Sequence, residues 1–168
     1  SYISDAIQSS LSTKLIRDIL FPVGKYHEDV FWSYQAVGRA QRVSVSDHIG
    51  YYYLQRGGSI MGEGYSLKRL DAVEAKVQRC AYIQGCFPAL SPLAIKELWF
   101  TCIYQGQLAL RALNKAEAEK ILAHFENVME THPFQMEGCS AKERLWLNMA
   151  KSSLMAACRV RNVLKIGL

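Results

Sequence analysis

No stretch of this 168-residue chain is apolar for the roughly 20 residues that a membrane-spanning helix needs. The first ten residues, SYISDAIQSS, hold no basic segment followed by an apolar one, which argues against a secretory leader. Cys-x-x-Cys is absent. The five cysteines (Cys80, Cys86, Cys102, Cys139 and Cys158) are odd in number and far apart, and the four histidines stand away from them. That spacing argues against a zinc site and for reduced thiols, as in a cytoplasmic protein. Four prolines and 11 glycines leave little room for linkers. Asp-x-Asp is missing as well: the aspartates are Asp5, Asp18, Asp29, Asp47 and Asp71.

What is present suits one packed domain. Half the residues are hydrophobic and 21% are charged, a globular balance. The formal charge of +5 is unevenly placed. From Cys139 onward six cations (Lys142, Arg144, Lys151, Arg159, Arg161 and Lys165) face Glu143 alone, leaving 14 cations and 14 acids before them. Only the tail is basic.

Pattern divides the chain near residue 65. Residues 5–20 read as a helix or turn, interrupted by Pro22 and Gly24. A helix is expected from Glu28 to about Ala40, with Val30, Tyr34 and Val37 at helical spacing. β-branched and aromatic residues then predict a hairpin of short strands near Arg42–Val45 and Ile49–Gln55. Past the glycine loop Gly57–Gly64 the signals are helical. Ser66 is expected to cap a helix with Leu67, Leu70, Val73, Val77 and Cys80 on one stripe. Ser91-Pro92 reads as the cap and first turn of an apolar helix to Leu113. Asn114 with Glu117 and Ser140 with Glu143 have capping-box spacing. The first box opens a helix with Ile121, Leu122, Phe125, Val128 and Met129 inside, closed by His132-Pro133; the second opens a last helix to about Lys165. The expected fold is mainly α with a small β-hairpin, in two parts, residues 1–65 and 66–168.

The stretch GKYHEDVFWSY carries the most chemistry. Glu28 and Asp29 stand where acids favour a helix N-terminus by about 0.3–1 kcal/mol. An ionised carboxylate is also what a general base must be. Periodicity does not separate the two readings.

Five pieces in order resemble the second half of the catalytic domain of family-2 glycosyltransferases, of the GT-A type that builds bacterial surface polysaccharides. These are STKLIRDILF, FPVGKYHEDVFWSYQAV, RVSVSDHIGYYYLQR, GGSIM and SLKRLDAVEAKV, together spanning Ser12 to Val77. The resemblance implies that Asp29 is the catalytic base, deprotonating an acceptor hydroxyl as it attacks the anomeric carbon of a nucleotide-sugar donor with inversion. It implies that Glu28 orients the site and that Arg56 and Ser59 contact substrate; His27, which adjoins the acidic pair, is a further candidate for touching the acceptor. It also implies a divalent metal, manganese or magnesium, held by a nucleotide-binding half and an Asp-x-Asp motif that this sequence lacks. The chain is therefore expected to be the C-terminal part of such an enzyme, inactive alone and holding no metal or other cofactor itself. The helical region after residue 65 would be an extension of the catalytic domain.

Other features keep two readings. The glycine loop near Arg56 and Ser59 serves either backbone freedom or closure over an anionic donor, and it lacks the spacing of a nucleotide-phosphate loop. Lys14 is as well explained by a structural ion pair. Tyr51, Tyr52 and Tyr53 are expected to pack, as are His48, His124 and His132 to serve turns and helix ends. In the last helix, Leu145, Trp146, Met149, Val160, Val163 and Leu164 form one side, and Arg144, Lys151, Arg159 and Lys165 lie roughly opposite. That pattern fits a helix packed on the domain. It also fits contact of residues 140–165 with an anionic membrane surface, with Trp146 near the interface, as suits an enzyme with a lipid-linked acceptor. The location would then be cytoplasmic, at the inner face of the membrane. Nothing here has the form of a nucleic-acid-binding motif. The rival to the enzyme is a non-catalytic helical interaction domain whose basic last helix docks on a membrane or protein.

Overall fold

The structure, a computed structural model, describes residues 16–44 and 66–167. Among the described residues six α-helices follow one another: α1 (Glu28–Gly38), α2 (Asp71–Cys86), α3 (Ser91–Ala112), α4 (Lys115–Thr131), α5 (Ala141–Ser152) and α6 (Leu154–Val163). Single 3-10 turns, Leu67–Leu70 and Pro88–Leu90, lead into α2 and α3. The protein is mainly helical, with no strand among the described residues. Residues 42–44 of the expected hairpin take no regular structure; Val45 and Ile49–Gln55 lie outside the described residues.

Helix α3 is the axis of the fold and packs against α2, α4 and α6. Its buried residues run almost round the helix, from Ala94 and Leu98 through Cys102, Ile103, Gly106 and Gln107 to Ala109. A helix apolar on most sides has to be surrounded. Leu122 and Phe125 come to it from α4, and Leu154, Ala157 and Cys158 from α6. Burying a side chain such as Phe125 contributes roughly 1.5–3 kcal/mol. Helix α1 lies to one side, on α2, where Tyr34 meets Tyr82 with ring centroids 5.1 Å apart.

Local signals set most helix starts. Ser140 and Glu143 form a complete capping box. Asn114 accepts from Glu117 N at 3.0 Å without the reciprocal bond. Ser66 accepts from Lys68 N and opens the 3-10 turn rather than α2 directly. Ser91 does not cap α3. It is the first helical residue, and its hydroxyl oxygen is buried with no partner among the described residues.

Three expectations are corrected by packing. In α1 the buried residues are Phe31 and Ala36, while Val37 is exposed, because α2 approaches that other face. Leu67 is exposed rather than part of the stripe in α2. The last helix is two helices. Ser153 is extended (φ −164°, ψ 110°), and its hydroxyl accepts from Ala156 N at 3.2 Å to cap α6.

The break at Ser153 redirects the side chains. Leu145, Val160, Val163 and Leu164, expected on the inner side, are exposed, and Trp146 is buried. The inner residues are Leu147, Ala150, Leu154, Ala157, Cys158 and the cation Arg161. Arg161 is buried because it is satisfied there. Its Nε donates to Gln107 Oε1 at 2.9 Å, and its guanidinium lies 5.1 Å from the centre of the Trp146 ring. Gln107 donates in turn to Asn162 Oδ1 and to the carbonyl of Ile166, tying down the turn after α6.

Candidate functional site

The site is built from the turn before α1 and the first turn of that helix. Gly24 takes φ +78°, the left-handed conformation that glycine adopts without penalty. Lys25 and Tyr26 then reach α2. Lys25 Nζ lies 3.0 Å from Asp71 Oδ1 and 2.6 Å from Glu74 Oε2, and Tyr26 N donates to Asp71 Oδ2 at 2.9 Å. The hydrogen bonds that Lys25 donates to Glu74, then to Asp71, raise its amine above the ordinary lysine value. Asp71 thus holds both the backbone and a side chain of the segment leading to the acids. Sequence reading passed over this clamp, because its partners lie some 45 residues apart.

His27 is the N-cap of α1 and is left-handed (φ 59°, ψ 39°), an uncommon state for a residue with a β-carbon. Its carbonyl accepts from Val30 N at 2.9 Å, closing the first turn. Its side chain caps nothing, and Nε2 is buried with no partner among the described residues. So the imidazole faces inward, while the next two residues face out.

Glu28 and Asp29 are both exposed in the first turn of α1. No described residue forms an ion pair or side-chain hydrogen bond with either carboxylate, so both are open to solvent or a ligand. The helix behind them is anchored by Phe31 and Ala36. It is held again by Trp32, whose ring nitrogen donates to the carbonyl of Ile19 at 3.1 Å and whose ring stacks on Phe21 at 5.0 Å. The arrangement can present two carboxylates on a fixed backbone to a hydroxyl or a cation.

Arg56, Ser59, Lys14 and the tyrosines 51–53 lie outside the described residues, as does His48. Of the expected site residues, the structure brings together Glu28, Asp29 and His27. Among the described residues there is no group of three or more His, Cys, Asp or Glu side chains able to hold a metal ion. No described helix is long and apolar enough to cross a membrane. No family model, curated protein or solved structure matches the chain.

Proposed function

We propose that this chain is the C-terminal part of an inverting glycosyltransferase similar to family 2, acting in cell-surface polysaccharide synthesis. Residues 1–65 are the acceptor side of a GT-A catalytic domain, and 66–168 a helical extension that buttresses it. The observation that carries the reading is the exposure of Glu28 and Asp29, unpaired with any described residue, on a turn clamped to α2 through Asp71.

In this reading Asp29 takes the proton of the acceptor hydroxyl as that oxygen bonds to the anomeric carbon and the nucleoside diphosphate leaves. A fixed backbone matters because the base has to lie within about 3 Å of the proton it removes. Glu28 orients the acceptor, and Arg56 and Ser59 contact substrate; His27, expected to do so as well, turns its imidazole inward and shapes the turn instead. The acceptor is a saccharide or a lipid-linked one, at the inner face of the membrane. The divalent cation of such a reaction finds no Asp-x-Asp in this sequence.

The test is transfer and nucleotide-sugar hydrolysis by the intact enzyme with manganese or magnesium, wild type beside Asp29→Asn. Loss of turnover with donor binding retained is expected. Equal turnover in the two proteins sinks the assignment and returns the pair to stabilising a helix end.

A second reading, a non-catalytic helical domain docking on a membrane, is favoured by one observation. Val160, Val163 and Leu164 are 38%, 81% and 58% exposed beside Arg159 and Lys165. Flotation with phosphatidylglycerol vesicles, compared with phosphatidylcholine alone, tests it. Val163→Asp should abolish an existing interaction, and absence of flotation rejects it. Trp146 takes no part in this version, being buried against Arg161.

A further inference from the structure

A cleft of about 520 Å³ opens between the last turns of α4, the segment after it and the break between α5 and α6. Its size falls within the roughly 300–1,000 Å³ of small-molecule sites. None of its walls belongs to α1, so it is separate from the acids discussed above.

The floor is apolar and fixed. Met129 and Ala150 are buried, and Phe134 packs edge-on to Trp99 with centroids 4.5 Å apart. Trp99 also donates through its ring nitrogen to the carbonyl of His132 at 2.7 Å, holding the chain that carries Phe134. The aromatic face is therefore in place before any ligand arrives. Two rims differ in kind. On one, Glu126 and Glu130 are one turn apart on α4 and only accept hydrogen bonds. On the other stand Lys151 and Ser153. Ser153 already accepts from Ala156 N, which leaves its hydroxyl proton to donate. Lys151 lies 6.0 Å over the Phe134 ring, at the outer limit of a cation–π contact, on a chain long enough to turn to a ligand.

The rims do not satisfy each other. No ion pair or hydrogen bond joins Glu126 or Glu130 to Lys151 or Ser153. An anion would meet the two carboxylates, and a simple cation would meet Lys151. A neutral ring with an apolar face and hydroxyls round its edge answers both rims at once. It donates to the carboxylates, accepts from the ammonium and the serine, and lays its C–H face on Phe134. We propose that this cleft binds a neutral saccharide of one or two rings. The proposal goes beyond the transfer reaction and does not depend on Asp29.

The test is an NMR titration of the labelled chain with cellobiose, maltose and N,N′-diacetylchitobiose, with glycylglycine as a zwitterionic control. Saturable shifts at the Ser152 and Ser153 amides and the Met129 methyl are expected from at least one sugar. Glu130→Gln, at an exposed position that should not disturb folding, should weaken that binding about fivefold, and Phe134→Leu at least as much. Absence of saturable shifts with all three sugars overturns the proposal. So does binding that Glu130→Gln leaves unchanged, which would put the sugar elsewhere. Binding of glycylglycine in preference to every sugar also overturns it and assigns the cleft to a zwitterion.

Discussion

Gly106 lies directly against Cys158 where α3 meets α6: a β-carbon on Gly106 would lie 2.9 Å from Cys158 Sγ. The thiol has no room to withdraw, being fully buried and directed at the carbonyl of Ile103, 3.3 Å away. Gly106→Ala should therefore destabilise the fold by about 1–3 kcal/mol, the usual cost of overpacking. Removing the sulfur in Gly106→Ala/Cys158→Ala should recover part of it, so the double mutant falls short of the sum of the singles. Denaturant melts of the three variants check this; strict additivity would mean that the close approach is relieved elsewhere.

Two arginines two positions apart should behave differently. Arg161→Ala leaves the buried Gln107 Oε1 without its donor and uncovers Trp146, costing about 1–3 kcal/mol. Arg159 is exposed, so Arg159→Ala should stay within about 0.5 kcal/mol of wild type. The comparison needs only urea midpoints.

Acid should loosen the junction between α3 and α5. A hydrogen bond from Lys96, with further ones at Ser140, brings the Glu143 carboxyl down from its ordinary 4.5 to about 2. The unfolded chain therefore takes up that proton at a higher pH than the folded one. Stability from this group is complete above about pH 4.5 and is lost as pH falls towards 2. Glu143→Gln should flatten that part of the profile, measured as melting temperature against pH.

Asp71→Ala removes the acceptor for Tyr26 N and one partner of Lys25 while leaving α1 its buried contacts with α2. Hydrogen exchange at the Tyr26 amide should accelerate at least tenfold relative to amides in the middle of α1. If Asp29 is the base, the same change in the intact enzyme should lower kcat more than it raises KM, because Asp71 acts through position.

Alkylation should find one thiol. Burial pushes Cys102 and Cys158 up to about 12, and Cys80 and Cys139 are buried too, while Cys86 is exposed at the end of α2. Thiolate content and access both control the reaction. Iodoacetamide at pH 8 should modify Cys86 in the native protein and the other four only after unfolding, as read by peptide mass.

Sequence alone determined the features whose cause is local. The Ser140–Glu143 box, the Asn114 cap and the stop at His132-Pro133 depend on residues a few positions apart, and the helix starts and stop appear there in the structure. The inner face of α4 was legible for the same reason, since Ile121, Leu122, Phe125 and Met129 repeat at helical spacing and nothing competes with them. The acids at the head of α1 were visible too; the clamp of Lys25 and Tyr26 on Asp71, some 45 residues away, was not. Tertiary structure decided which residues of the C-terminal region face inward. Neither glycine nor proline marks Ser153, yet the chain is extended there, and α6 meets α3 where Gly106 leaves room. Once it does, Gln107 and Trp146 give a buried arginine its partners, and Val160, Val163 and Leu164 are left outside. Hydrophobicity orders residues by their preference for the interior. Which of them gets there depends on whether a distant partner can satisfy the alternative.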